Sequence, residues 1–163
     1  MDYNHILYRK LNVDELSALK HDFIKFLVVQ GIDAYEWDKI KSEAPEKMEK
    51  LVVAFSNMVF SDILSRIKFL QKLEDNRLEL INTESHEWKM ITVSWNALQN
   101  PVFQQIPDYS EVEVLINQES TSLYVGKRKI ERPPDQELFL YLEKNYKPSD
   151  GVLYTKLSEY LSE

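Results

Sequence analysis

The chain has 163 residues, 20 Lys+Arg against 27 Asp+Glu, three glycines and no cysteine, a length that suits one domain with a sizeable core. The missing cysteine excludes disulfides, thiolate nucleophiles, Fe–S clusters and cysteine-ligated zinc, and the scarcity of glycine leaves little room for phosphate-cradling loops. A net charge of −7 opposes a dedicated nucleic-acid binder, which must neutralise phosphates with a basic face.

The first residues, Met1-Asp2-Tyr3-Asn4-His5-Ile6, lack the basic and apolar regions of a secretory signal. The longest apolar runs, such as Leu51 to Phe55, fall far short of the roughly 20 residues a membrane span needs. A cytoplasmic location is expected.

Residues 12–74 read as helical. Asn12 and Glu15 form an approximate capping box ahead of Leu16, Leu19, Phe23 and Leu27 at helical spacing. Gly31 supplies a stop. Asp33 and Glu36 repeat the cap signature for a short helix carrying Trp37 and Ile40. Pro45 opens a third helix, expected to run from Glu46 to about Leu73 with Met48, Val52, Phe55, Val59, Ile63, Ile67 and Leu70 in one stripe. Val53, Phe60 and Leu64 widen that stripe, so this long central helix should touch more than one neighbour.

Between residues 77 and 132 the period changes to two. Leu78 and Leu80, then Ile91, Val93 and Trp95, then Val112, Val114 and Ile116, then Leu123 and Val125 alternate with polar neighbours. Short polar connections at 82–87 and 118–121 predict hairpins and an antiparallel sheet of four strands. A bulge at Gly126 would bring Ile130 to the buried face, and residues 96–110 form the one long loop. Pro133-Pro134 ends the strand part, and two C-terminal helices fill residues 134–162, the first broken by Pro148 and the second capped by Asp150. Helices, then strands, then helices predict an α+β fold in a single domain spanning 1–163.

The run Leu16-x-x-Leu19 through Phe23-Ile24-x-Phe26-Leu27, Gly31-Ile32-Asp33 and Glu36-Trp37-x-x-Ile40-Lys41 resembles a small family of uncharacterised proteins from Bacteroidetes bacteria. Phe55-Ser56-x-Met58-Val59, Leu64-Ser65-x-Ile67 and Gly151-x-Leu153-Tyr154 share the likeness. These are core and cap residues, so the resemblance implies a shared fold and carries over no catalytic residue, cofactor or substrate.

The residues themselves offer little chemistry. His5, His21 and His86 stand in separate segments with no chelating spacing. Gly126-Lys127 lacks the rest of a phosphate-binding loop, and no G-x-G-x-x-G or G-x-S-x-G occurs. Glu111 and Glu113 would share one face of a strand, which an exposed sheet face explains. Lys127, Arg128 and Lys129 with Arg132 form the one local basic cluster, readable as an anion site or as an edge strand protected by charge. Trp37 and Trp95 fit a core. Trp88 falls on the opposite sheet face from Ile91 and Val93, where it is either covered by a terminal helix or exposed to a partner.

No cofactor or metal is expected. The reading that follows is a non-catalytic protein-interaction or structural module that binds a protein partner or itself, without nucleic acid or membrane. The alternative is a small-molecule binder or enzyme with a site between sheet and helices, near the 96–110 loop.

Overall fold

The computed structural model describes residues 6–163. It is α+β, with seven helices and five strands among the described residues, and divides into two compact units, one ending at Ser65 and the other comprising Arg66–Glu163. No helix among the described residues is long and apolar enough to cross a membrane.

The first unit is helical: α1 (Val13–Ala18), α2 (Lys20–Val29), α3 (Ala34–Glu43) and α4 (Pro45–Ser65). The expected capping box closes α1, where the Asn12 side chain accepts the Glu15 N–H at 2.8 Å and the Glu15 carboxylate accepts the Asn12 N–H at 3.0 Å. Asp33 caps α3 by accepting the Glu36 N–H at 2.8 Å. Both caps satisfy amide donors that a helix start otherwise leaves unpaired. The core gathers Phe26, Leu27, Ile32, Ile40, Ala54 and Phe55, with Phe23 and Trp37 packed against it. Phe55 is fully buried and meets the rings of Phe23 and Phe26 at centroid distances of 5.0 and 5.5 Å. Burying one such side chain stabilises the unit by about 2–3 kcal/mol.

The long helix is shorter than its apolar stripe predicts. It stops at Ser65, and Phe69–Glu74 form strand β1 instead. Ile67 and Leu70 therefore lie beyond the helix. The backbone groups of β1 find partners in β2 (Arg77–Asn82), paired from Phe69 opposite Asn82 to Glu74 opposite Arg77.

The second unit holds one antiparallel sheet in the order β4-β3-β2-β1-β5, with β3 at Glu87–Ser94, β4 at Ser122–Lys129 and β5 at Lys147–Ser149. The expected four strands become five, because β1 and the three-residue β5 add two in stretches whose pattern reads as helix or break, while one expected strand is a helix. The segment Val112 to Ile116, expected as a strand, is helix α5 (Tyr109–Ile116). Asp108 caps it by accepting the Glu111 N–H at 2.9 Å, and Glu111 returns the bond to the Asp108 N–H at 2.8 Å. Glu111 is therefore a capping residue rather than a strand carboxylate. Gly126 makes no bulge: β3 and β4 pair without interruption from Glu87 opposite Lys129 to Ser94 opposite Ser122. As an edge strand with mostly exposed side chains, β4 needs no correction of its alternation.

Helices cover both sheet faces. On one, Leu78, Leu80, Ile91 and Val93 pack with Val112 and Leu115 of α5 and with Leu153, Tyr154 and Leu157 of α7 (Val152–Ser162). Trp95 joins this cluster, as the sequence predicts, and Trp37 packs on the core of the first unit. On the other face lies α6 (Pro134–Glu143), whose Tyr141 meets the Trp88 ring edge-on at 5.3 Å. The N-cap position of the last helix is Gly151 rather than the expected Asp150, in the left-handed conformation with φ 81°, and Asp150 just before it accepts the Val152 N–H at 3.0 Å.

Candidate functional site

In the second unit the sheet alternation puts Trp88, Met90 and Thr92 of β3 on the α6 side, next to Arg128, Gly126 and Tyr124 of β4. Trp88 is buried, with 2% of its surface exposed, so it is not a surface tryptophan; α6 covers it. Arg128 reaches across the same face. Its guanidinium donates to the Tyr141 hydroxyl at 2.5 Å and to the Glu137 carboxylate at 2.7 Å. Glu137 is itself buried, so this pair joins the edge strand to α6 through an ion pair screened from water on its acidic side.

A cavity of about 130 Å³ lies here, lined by Trp88, Met90, Tyr124, Gly126, Arg128 and Tyr141, with Ile81 and Lys127 completing the wall. Of the residues singled out in the sequence, Trp88 and Arg128 come together around it, while Lys127 borders it with its side chain turned to the other sheet face. Lys127 also pairs with Glu87 at 3.4 Å. Lys129 stands at the end of β4 opposite Glu87, and Arg132 is exposed in the connection to α6; neither lines the cavity.

Beside it the same face carries a second polar arrangement. Glu79 of β2, buried, accepts from Arg77 at 2.6 Å and from the Tyr146 hydroxyl at 2.5 Å. Tyr146 packs against Tyr141 at 4.9 Å, and the Lys72 ammonium lies 5.2 Å from its ring centre. Burial and the bond to Glu79 push the Tyr146 hydroxyl pKa well up. Tyr124, Glu137, Tyr141 and the Glu79–Tyr146 pair escape a sequence reading, since only folding brings β2, β4, α6 and the turn after it together.

A third feature sits by the long connection between β3 and α5. An open cleft of about 430 Å³ is lined there by Gln71, Glu74, Phe103, Gln105, Asn145 and Lys147, among others. Among the described residues no three His, Cys, Asp or Glu side chains gather as a metal site would require. His21 and His86 are exposed in separate units; His5 lies outside the described residues.

The first unit differs in chemistry. Helix α2 turns Phe26 and Leu27 inward but leaves Ile24, Val28 and Val29 at 47%, 63% and 81% exposure. Apolar grooves flank it: one of about 610 Å³ against α1 and α3, containing Val13, Ile24, Val28 and Trp37, and one of about 750 Å³ against α4, containing Val29, Met58 and Ile63. Charge on the first groove is mixed, from Lys20 and Lys41 with Asp33 and Asp38.

Residues 6–162 match the model of a family of unknown function, DUF6495, and the chain belongs to that family. No curated protein and no solved structure matches it. The family carries no stated activity, so the geometry bears the functional argument alone.

Proposed function

We propose that the protein is a non-catalytic interaction module of the bacterial cytoplasm, whose helical unit self-associates through α2. The observation that carries this reading is the exposure of Ile24, Val28 and Val29 along one helix between apolar grooves. Ile24 and Val28 are one helical turn apart and form a ridge of the kind that fits the groove of a facing helix. An apolar ridge left in water costs roughly 25 cal/mol per Å² relative to burial, and contiguous exposure of this kind marks an interaction surface.

The occupant we infer is a second copy of the chain. Lys20 and Lys41 against Asp33 and Asp38 give the groove equal numbers of opposite charges. In a two-fold contact each copy offers both signs, so lysine can face aspartate across the axis. A partner of strong single charge would gain little from such a rim. Light scattering over a concentration series tests the reading: a mass that rises toward the dimer supports it, and a constant monomer mass contradicts it.

A further inference from the structure

The cavity beside Trp88 has a property that packing alone does not require. The chain's glycines are Gly31, Gly126 and Gly151, of which Gly31 and Gly151 have φ of +77° and +81° and so serve the backbone. Gly126 has no such conformation. It sits in the middle of a regular strand, where glycine weakens the ladder and often marks a place that something approaches closely. A Cβ there would come within 2.8 Å of the Tyr124 ring. The missing side chain therefore lets Tyr124 lie along the strand and keeps the cavity open beneath it.

The walls define what could enter. Trp88, Tyr141, Tyr124, Met90 and Ile81 present rings and aliphatic surface. Arg128 also lines the cavity, which disfavours a cationic guest despite the aromatic walls; the Lys127 side chain alternates to the other sheet face, where it pairs with Glu87. Arg128 already gives one N–H each to Tyr141 and Glu137, leaving further guanidinium donors available. The volume, about 130 Å³, is close to the ~150 Å³ in which an engineered apolar cavity accepts benzene.

We propose that this cavity binds a small aromatic monocarboxylate, its ring lying over Gly126 beside Met90, Tyr124 and the packed Trp88–Tyr141 pair, and its carboxylate at Arg128. A phosphate fits poorly, because most of the wall is apolar and much of the local positive charge is already paired. The site is independent of the self-association through α2: it belongs wholly to the second unit, and either can fail without the other.

The test is a titration followed by the indole N–H resonances of the three tryptophans, with benzoate as the probe and benzyl alcohol and inorganic phosphate as comparisons. Trp88 is assigned by its loss in Trp88→Phe. Benzoate is expected to move the Trp88 resonance saturably, leaving Trp37 and Trp95 in place, and to bind at least roughly tenfold more tightly than either comparison, the size of one charge-assisted contact. Gly126→Val, which fills the cavity, should abolish the response, and Arg128→Met should weaken it by a similar factor. No response to benzoate overturns the proposal. Equal binding of phosphate would mean an adventitious ion on the rim, and equal binding of benzyl alcohol a greasy pocket without anion recognition; each overturns it. So does undiminished binding in Gly126→Val. The wild-type ranking of the three probes decides the matter even if a variant fails to fold.

Discussion

The hydroxyl of Tyr146 donates a 2.5 Å hydrogen bond to the carboxylate of Glu79, a residue 67 positions earlier in the chain. That contact links the turn after α6 to the second strand and satisfies a carboxylate that is only 7% exposed. Arg77 supplies the other partner at 2.6 Å. Removing one donor from a buried carboxylate costs more than an ordinary hydrogen bond, because the acceptor stays desolvated.

Tyr146→Phe is expected to lower unfolding free energy by about 2 kcal/mol, the range for a hydrogen bond to a charged group, measured by urea denaturation. Arg77→Met should cost less, since the Arg77 side chain is 48% exposed and much of its charge is screened. The same contact gives an alkaline signature. Burial and the Glu79 bond raise the Tyr146 pKa above its unfolded value, so its neutral form favours the folded state. That contribution is complete below about pH 10, the unfolded tyrosine value, and is lost as pH rises above it. Tyr146→Phe should remove this part of the alkaline destabilisation.

Glu15 provides the acid counterpart in the first unit. Arg9 grips its carboxylate with bonds of 2.7 and 3.0 Å, and the Asn12 N–H adds a third at 3.0 Å. The Arg9 bond, then the Asn12 amide, lower its pKa from 4.5 to about 2. The ionised form therefore favours folding, fully above 4.5 and progressively less as pH falls toward 2. Glu15→Gln should be less stable than wild type at neutral pH, and the difference should shrink through that window in acid titrations. A difference independent of pH would contradict the account.

Gly151 begins α7 at φ 81°, and a Cβ there would drive into the ring of Phe69. Phe69 in turn packs on Tyr154 at 5.6 Å. Gly151→Ala therefore combines a left-handed backbone with a core clash, and a loss of about 2–3 kcal/mol is expected, read from thermal unfolding. Gly31→Ala offers the comparison, since φ is 77° there but no atom lies near the added carbon; it should cost only about 1 kcal/mol.

These glycines also show what a sequence can and cannot disclose. Gly31 as a helix stop, the Asn12–Glu15 box and the Asp33 cap are local signals, and each reappears in the structure. The strand β1 was masked because Ile67 and Leu70 continue the helical stripe of α4, and because both faces of the sheet are covered. Leu70 is buried while Phe69 and Leu73 pack into the opposite cluster, so β1 shows no clean alternation. Helix α5 misled in the other direction. Val112, Val114 and Ile116 mimic a strand, yet Val112 and Leu115 are the buried pair and Val114 is 64% exposed. The Asp108–Glu111 capping box after Pro107 is a local signal of this helix, which the apolar alternation of Val112, Val114 and Ile116 obscures. The cavity beside Trp88 is legible only in part: the basic run and the tryptophan are visible, but their meeting with Tyr141 and Glu137 depends on α6 crossing the sheet.

The self-association of the helical unit rests on Val28, whose exposed side chain should be neutral to folding and decisive for assembly. Sedimentation equilibrium of the wild type, Val28→Glu and Val114→Glu tests it most directly, because Val28 and Val114 are equally open at 63% and 64% but only Val28 belongs to the α2 ridge. The account predicts a concentration-dependent dimer for wild type and Val114→Glu, and a monomer for Val28→Glu. A monomeric wild type, or a dimer indifferent to glutamate at Val28, would contradict it.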